Sequence, residues 1–222
     1  MLQSIAFIPD GNRRYAKMAG LSLAESYSLG VQKAWNVLDW LKEYPKIKAG
    51  AFYMLSLENL SRTKTELSAL YKIFDKELDK VKTSALINED QIRLHFVGKT
   101  ELLPKQLQSK LAEVEKYTSE FSGKDVYLAL GYNGQQEIAD AAAKLAQDVK
   151  NGLVSAEHIS PETFKKYLYS DLPELDYIVR TSGVERLSAF FTFQSAYSEL
   201  YFSPKYWPQF EQADLRLAVQ EF

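Results

Sequence analysis

The stretch that decides the fold lies near the amino terminus and reads Ile5-Ala6-Phe7-Ile8-Pro9, followed directly by Asp10-Gly11-Asn12-Arg13-Arg14-Tyr15. Its first five residues are apolar and predict a buried strand. The next six predict a loop with a small-residue turn and two arginines at the carboxyl end of that strand. Ligands of open α/β sheets bind at this edge. Arginines and free backbone N–H groups favour phosphate or diphosphate there.

A second segment of the same kind lies near the carboxyl terminus. The run Leu175-Asp176-Tyr177-Ile178-Val179 is followed by Arg180-Thr181-Ser182-Gly183-Val184-Glu185-Arg186-Leu187-Ser188. Within it, Arg180, Arg186 and Ser188 are candidates to clamp a diphosphate. Two such segments indicate either two substrates that each carry a diphosphate or one substrate that carries two.

Length and composition limit the class of protein. The chain has 222 residues, and we expect one α/β domain over residues 1–222. Its 27 basic and 29 acidic residues give a net charge of −2, which argues against nucleic acid as a partner. The absence of cysteine excludes disulfides and thiolate zinc sites, and two histidines argue against a multi-histidine metal site.

The sequence also indicates where in the cell the protein is located. It has neither a signal-peptide pattern nor an apolar run of transmembrane length, so we expect a cytoplasmic protein. Any peripheral contact with a membrane would come through a lipid-like ligand or product.

Strand and helix signals alternate along the chain, which predicts an α/β fold with a mostly parallel central sheet flanked by helices. The predicted strands are 5–9, 49–55, 92–97, 126–130, 177–179 and 200–202. The main predicted helices are 24–44, 66–82, 104–117, an alanine-rich helix that follows Gly134, and 211–222. Thr63 and Glu66 predict a capping box at the start of the second helix. Its apolar face is typical of core packing, or alternatively of a channel for a hydrocarbon tail.

Three further positions carry candidate chemistry. Asp10 follows a strand and is a natural Mg²⁺ ligand, although Asp-Gly is also a common turn. Asn59 is a candidate catalytic residue that orients substrate or relays a proton, and Arg62 is a candidate for a phosphate oxygen. The alternative for both is an ordinary strand-to-helix loop. Glu199 is a candidate second metal ligand or a surface residue.

Three blocks of the sequence together resemble the cis-prenyltransferases, the family of undecaprenyl and dehydrodolichyl diphosphate synthases. The resemblance runs in order over about residues 5–222. The blocks are the strand with Asp10-Gly11-Asn12-Arg13-Arg14-Tyr15-Ala16, then Ser56-x-Glu58-Asn59-x-x-Arg62-x-x-x-Glu66, then Arg180-Thr181-Ser182-Gly183 with Arg186-Leu187-Ser188 and Gln194-x-Ala196-Tyr197-x-Glu199-Leu200.

This resemblance implies a parallel-sheet fold with a hydrophobic tunnel, assembled as a homodimer or a heterodimer. It implies Mg²⁺ as cofactor, bound by Asp10 and by Glu199, the latter from across the dimer. The allylic prenyl diphosphate would lie against Gly11, Asn12, Arg13 and Arg14. Isopentenyl diphosphate would be held by Arg180, Arg186 and Ser188, with Asn59 and Arg62 between the two substrates. The implied reaction joins them into a longer Z-type polyprenyl diphosphate.

The sequence departs from the family pattern at four places. Where the family commonly has an arginine and a histidine that help to bind the allylic diphosphate, this chain has Leu23 and Tyr27. The glutamate of the third block is displaced by one position, as Glu185. Ala189 replaces an asparagine or aspartate, and Phe193 replaces a tryptophan. The allylic side of the predicted site is therefore the more altered one.

Two alternatives to chain extension remain. Residues 21–27 are similar to the corresponding stretch of the lavandulyl-type members, which join isoprenoid diphosphates head-to-middle into branched products. We favour head-to-tail extension, because one short stretch is weak evidence. A non-catalytic partner subunit ranks lower, since such subunits generally lose the aspartate and arginine that this chain keeps as Asp10 and Arg14.

Overall fold

The computed structural model describes residues 1–222, and a six-stranded sheet lies at its centre. The strands are β1 Ser4–Ile8, β2 Ala49–Ser56, β3 Arg93–Val97, β4 Asp125–Tyr132, β5 Tyr177–Arg180 and β6 Glu199–Phe202. Their order is β3-β4-β2-β1-β5-β6, and every neighbouring pair is parallel. The predicted α/β fold is confirmed, and the mostly parallel sheet proves to be parallel throughout.

Eight α-helices accompany the strands. They are α1 Asn12–Ala19, α2 Leu23–Trp40, α3 Lys64–Lys80, α4 Ala85–Glu89, α5 Lys105–Thr118, α6 Gly134–Lys150, α7 Pro161–Lys165 and α8 Gln212–Glu221. The long predicted helices are present. The sequence did not predict α4, which is only five residues long and therefore shows no helical periodicity. None of the helices combines the length and apolar character needed to cross a membrane.

The sheet buries apolar side chains on both faces, as expected for parallel strands covered by helices. Phe7 and Phe52 point to one face, where their rings stack at a centroid distance of 5.1 Å. Their neighbours Ala6 and Tyr53 point to the other face and belong to a second hydrophobic cluster. The first cluster includes side chains of α2, α3, α5 and α8, so these helices cover that face of the sheet.

The first arginine segment differs from the predicted loop, because residues 12–19 form α1. An eight-residue helix is marginal by itself and needs tertiary packing, here against α2. Gly11 precedes it with φ of +102°, a conformation that glycine adopts without strain. A Cβ at Gly11 would also lie 2.7 Å from Cδ1 of Tyr206. The chain thus turns sharply and directs the free N–H groups of α1 toward the strand end.

The predicted capping box at α3 forms only in part. The Thr63 hydroxyl accepts a hydrogen bond from the Glu66 N–H at 3.3 Å, as expected. The Glu66 carboxylate instead accepts a hydrogen bond from the Tyr27 hydroxyl on α2. A tertiary partner has therefore replaced the local one, and Glu66 joins α3 to α2.

Candidate active site

A cleft of about 740 Å³ opens at the carboxyl ends of the strands, at the edge where parallel sheets bind ligands. All the predicted site residues except Glu199 line it: Asp10, Gly11, Asn12, Arg13, Arg14, Asn59, Arg62, Arg180, Arg186 and Ser188. The lining contains five arginines against two carboxylates, an excess of three positive charges. A chain with a net charge of −2 thus concentrates positive charge at one place, which suits a strongly anionic ligand.

Asp10 stands between the two arginine segments. Its Oδ2 accepts a hydrogen bond from Arg180 Nη2 at 2.9 Å, and its Oδ1 accepts one from the Gly11 N–H at 2.6 Å. Arg14 Nη2 lies 3.4 Å from Oδ1. Burial acts to raise the pKa of Asp10, but the hydrogen bond and charge of Arg180, together with the Gly11 N–H, lower it overall. The carboxylate is therefore ionised at neutral pH.

Backbone contacts hold the two segments together. The Asp10 carbonyl accepts hydrogen bonds from the Thr181 hydroxyl at 2.8 Å and from the Trp207 N–H at 3.0 Å. Arg14 Nη2 donates to the Ser182 hydroxyl at 2.5 Å, and its guanidinium lies 5.4 Å from the centre of the Tyr206 ring. Segments about 170 residues apart in sequence therefore form one rigid edge of the cleft.

The second segment is built around the buried Arg180. Its Nη1 donates to the Ser188 hydroxyl at 2.8 Å and to the Arg186 carbonyl, while its Nε is buried without a partner. Arg186 Nε donates to the same Ser188 hydroxyl at 3.3 Å. Ser188 and Ala189 have φ of +52° and +56°, which is uncommon for residues with a side chain and is typical of functional loops.

A polar cluster that the sequence alone does not reveal lies at the entrance of the cleft beside α2 and α3. The Tyr27 hydroxyl donates to Glu66 Oε1 at 2.5 Å and accepts from Arg62 Nη1 at 3.1 Å. Arg62 Nη1 is also 3.2 Å from Glu66 Oε1, and Arg13 Nε is 3.9 Å from it. Burial, followed by the Glu66 hydrogen bond, raises the pKa of Tyr27 to about 12. Tyr27 stands where the family commonly has a ligand of the allylic diphosphate, but here its hydroxyl proton is donated to Glu66.

Asn59 lies at the cleft in a short 3-10 turn, Glu58–Ser61. Its N–H donates to the Ser56 hydroxyl at 3.2 Å, which fixes the turn at the end of β2. Glu58 accepts a hydrogen bond from Asn133, the residue that caps α6. The turn is thus anchored on both sides, and Asn59 is one of the residues that line the cleft.

An apolar cavity of about 90 Å³ adjoins the cleft beneath α2 and α3. Val31, Met54 and Phe74 line both spaces, so the cavity and the charged cleft share one wall. Of its 16 lining residues, 15 are hydrophobic. The arrangement of a polar entrance and an apolar interior suits a ligand with an anionic head and a hydrocarbon tail, as predicted for the channel along α3.

Glu199 does not lie in the cleft of its own chain. It begins β6, where it is exposed and pairs with Tyr177, whereas the cleft opens at the other end of the strands. The four residues of β6 place Glu199 about 10 Å away from that edge along the strand direction. Glu199 therefore lies away from the cleft of its own chain, and its contribution to the site of a second copy stays a prediction.

Asp10 is the group that could hold a metal. The structure contains no cluster of three or more His, Cys, Asp or Glu side chains that could bind one unaided. Mg²⁺, however, is commonly bound by one or two carboxylates together with substrate phosphates and water. An ionised Asp10 between arginines fits a metal that binds together with a diphosphate.

Comparisons with known proteins agree with this geometry. The Prenyltransf family model, which describes undecaprenyl diphosphate synthases, matches residues 8–222. Two relatives are named tritrans,polycis-undecaprenyl-diphosphate synthase, geranylgeranyl-diphosphate specific. The one from Methanopyrus kandleri is 39% identical over 99% of this chain and 81% of its own length. The one from Pyrobaculum aerophilum is 40% identical over 98% of this chain and 91% of its own length.

A solved structure is also similar. The lavandulyl diphosphate synthase of Lavandula x intermedia, crystallised with dimethylallyl diphosphate, has a TM-score of 0.93 and 31% identity, over 99% of this chain and 94% of that one. Three observations identify the family: the parallel sheet, the arginine cleft with its apolar cavity, and the match over nearly the whole length of the chain. This chain belongs to the undecaprenyl diphosphate synthase family, the cis-prenyltransferases, and is a prenyltransferase.

Proposed function

We propose that this chain is a Mg²⁺-dependent prenyl diphosphate synthase. It condenses isopentenyl diphosphate with an allylic prenyl diphosphate to give a longer, Z-type polyprenyl diphosphate. One observation supports the proposal most: the Asp10–Arg180 ion pair and the two arginine segments line one cleft, and an apolar cavity adjoins it. These features support the binding of two diphosphates and of one hydrocarbon tail.

Each substrate has its own set of residues in this proposal. The allylic diphosphate binds at the amino end of α1, where Gly11, Asn12, Arg13 and Arg14 supply N–H groups and positive charge. Its tail enters the apolar cavity. Isopentenyl diphosphate binds the second segment through the side chains of Arg180, Arg186 and Ser188. Arg62 lies between the two substrates.

The reaction requires charge stabilisation at the departing diphosphate. The allylic C–O bond breaks with its electron pair on the diphosphate, and the isopentenyl double bond attacks the allylic carbon. The new cation then loses a proton, and Asn59 is the candidate to orient the substrate or to relay that proton. Bound Mg²⁺ would add positive charge at the diphosphate oxygens, with Asp10 as its protein ligand. The arginines hold the leaving group in place.

Head-to-middle condensation to a branched, lavandulyl-type diphosphate is the second candidate. It is favoured by the similarity to the lavandulyl diphosphate synthase structure and by Leu23 and Tyr27 at positions where the family commonly has diphosphate ligands. We rank it second, because the curated relatives with about 40% identity are named tritrans,polycis-undecaprenyl-diphosphate synthases.

The test uses the purified full chain with Mg²⁺ and isopentenyl diphosphate. Allylic diphosphates from dimethylallyl to geranylgeranyl serve as primers, and the products are sized by chromatography and their carbon skeletons solved by NMR. We expect linear products with Z double bonds. A branched skeleton would establish the second candidate instead. A chain that is inactive with every primer, yet activates a related catalytic subunit, would be a partner subunit.

A further inference from the structure

The helix α1 carries the residues proposed to bind the allylic diphosphate, but its amino end has no side-chain cap. Gly11 precedes it and offers no side chain that could accept a hydrogen bond from the first N–H groups. Eight residues are also too few for a stable helix without tertiary contacts. The groups that hold α1 in place therefore decide where its free N–H groups and its arginines point.

Ser26 on α2 is one of the groups that hold α1. Its hydroxyl donates to the carbonyl of Asn12, the first residue of α1, at 2.7 Å. Ser26 is 0% exposed and does not line the cleft, so its side chain has no access to a bound ligand. Serine inside a helix often bonds to a carbonyl of the preceding turn of its own helix. Here the hydroxyl instead crosses to a second helix and ties α2 to the amino end of α1.

Gly30 lies one helical turn after Ser26, on the same face of α2, and packs against the side chain of Asn12. A Cβ at Gly30 would overlap Asn12 Oδ1, so a larger residue would displace the amide. Asn12 Nδ2 also donates to the Pro9 carbonyl at 3.1 Å. Asn12 is thus held through its main chain by Ser26 and through its side chain between Gly30 and the end of β1.

Trp207 fixes this part of α2 to the strand end. Its indole N–H donates to the Gly30 carbonyl at 2.7 Å, and its main-chain N–H donates to the Asp10 carbonyl at 3.0 Å. Trp207 is buried, which keeps both hydrogen bonds away from water. The position of Asn12 relative to Asp10 is therefore set by contacts that run through Ser26, Gly30 and Trp207.

We infer that Ser26 is a positioning residue for the allylic diphosphate. The inference rests on the proposed function and deepens it by naming a residue behind the cleft that affects the binding of one substrate. Without the Ser26 hydroxyl, α1 keeps its arginines and N–H groups but loses the hydrogen bond that holds its first turn. The second arginine segment does not use this contact, because Arg180, Arg186 and Ser188 hold one another.

The test compares the purified full chain as wild type, as Ser26→Ala and as the control Ser28→Ala. The control loses the same atom from the same helix, but the side chain of Ser28 is exposed. KM and kcat are measured with Mg²⁺ for isopentenyl diphosphate and for the allylic diphosphate that wild type extends best. Hydrogen exchange of the α1 amides, followed by mass spectrometry, reports on the stability of the helix independently of activity.

We expect Ser26→Ala to raise KM for the allylic diphosphate about three- to tenfold, the factor that one neutral hydrogen bond contributes. KM for isopentenyl diphosphate should stay within about twofold of wild type, which a general loss of structure would not allow. The α1 amides should exchange faster by roughly the same three- to tenfold. Ser28→Ala should match wild type in all of these measurements.

An unchanged allylic KM, or unchanged exchange of α1, in a folded Ser26→Ala variant would overturn the inference. Equal rises in both KM values would overturn it as well, because they would indicate a general effect on the fold. If Ser26→Ala does not fold, Gly30→Ala decides the matter, since its methyl group displaces the Asn12 amide and should raise the same KM. A wild type that is inactive with every primer would overturn the proposed function, and this inference with it.

Discussion

Replacing Tyr27 by phenylalanine tests the cluster that joins α2 to α3 at the entrance of the cleft. The change removes one hydroxyl and keeps the ring. That hydroxyl donates to Glu66 at 2.5 Å and accepts from Arg62 at 3.1 Å, and both Tyr27 and Glu66 are less than 10% exposed. A hydrogen bond to a charged group contributes about 1.5–3 kcal/mol. We expect the free energy of unfolding to fall by about this amount.

The measurement is urea unfolding of wild type, Tyr27→Phe, Glu66→Gln and the double variant. Residues in direct contact show coupling of about 0.5–3 kcal/mol in such a cycle. The pKa of Tyr27, raised to about 12, keeps the hydroxyl protonated and able to donate at neutral pH. Strictly additive effects of the two substitutions would refute the direct hydrogen bond. Tyr71→Phe, on the same helix α3 as Glu66 and half-buried, is the matched control.

The same variant also tests the role of the position in substrate binding. Because its proton is committed to Glu66, the Tyr27 hydroxyl should not be a ligand of the allylic diphosphate. We expect KM for the allylic substrate to rise by less than about tenfold, a binding loss of under about 1.4 kcal/mol. A larger rise in a stably folded Tyr27→Phe variant would show that the hydroxyl contacts the substrate after all.

Three further predictions concern other parts of the site. Asp10→Asn should remove most activity. The pKa of Asp10 in the folded state lies below its ordinary value of 3.8, so the ionised carboxylate stabilises the fold above that pH, and this stabilisation is lost as the pH falls through the folded-state pKa. The difference in free energy of unfolding between wild type and Asp10→Asn should therefore be smaller at pH 3 than at pH 6. A larger difference at pH 3 would contradict the assignment. Glu137→Gln should lower the free energy of unfolding by about 1–3 kcal/mol. The fully buried Glu137 accepts hydrogen bonds from both the Tyr132 hydroxyl and the Tyr169 N–H, and the amide nitrogen of glutamine cannot accept one. A denaturation midpoint equal to that of wild type would count against this prediction. If Glu199 acts in the site of a second copy, refolding the inactive Asp10→Ala and Glu199→Ala variants together should restore activity. In a mixed dimer, one site then combines the intact Asp10 of one chain with the intact Glu199 of the other. If no activity returns, the shared site is excluded.

Much of the cleft could be predicted from sequence because its residues follow strand ends. Asp10 and Arg180 directly terminate apolar runs, and parallel strands bring such ends to one edge. Glu199 begins a strand and so lies at the opposite edge of its own chain, and its expected role across a dimer stays a prediction. The helix α1 was missed because a helix of eight residues is marginal by itself and here depends on packing against α2.

The sequence by itself determined the strands and long helices, the charge of the cleft and the motifs that define the family, because these depend on residue type and local periodicity. Only the tertiary structure decided the pairings of Tyr27 with Glu66 and of Trp35 with Glu77. These partners are about 40 residues apart in sequence, and they meet only if α2 and α3 pack on the sheet with one particular rotation about their axes and one particular shift along them. Local periodicity defines the apolar face of each helix, but the relative placement of α2 and α3 is set by packing of the whole core.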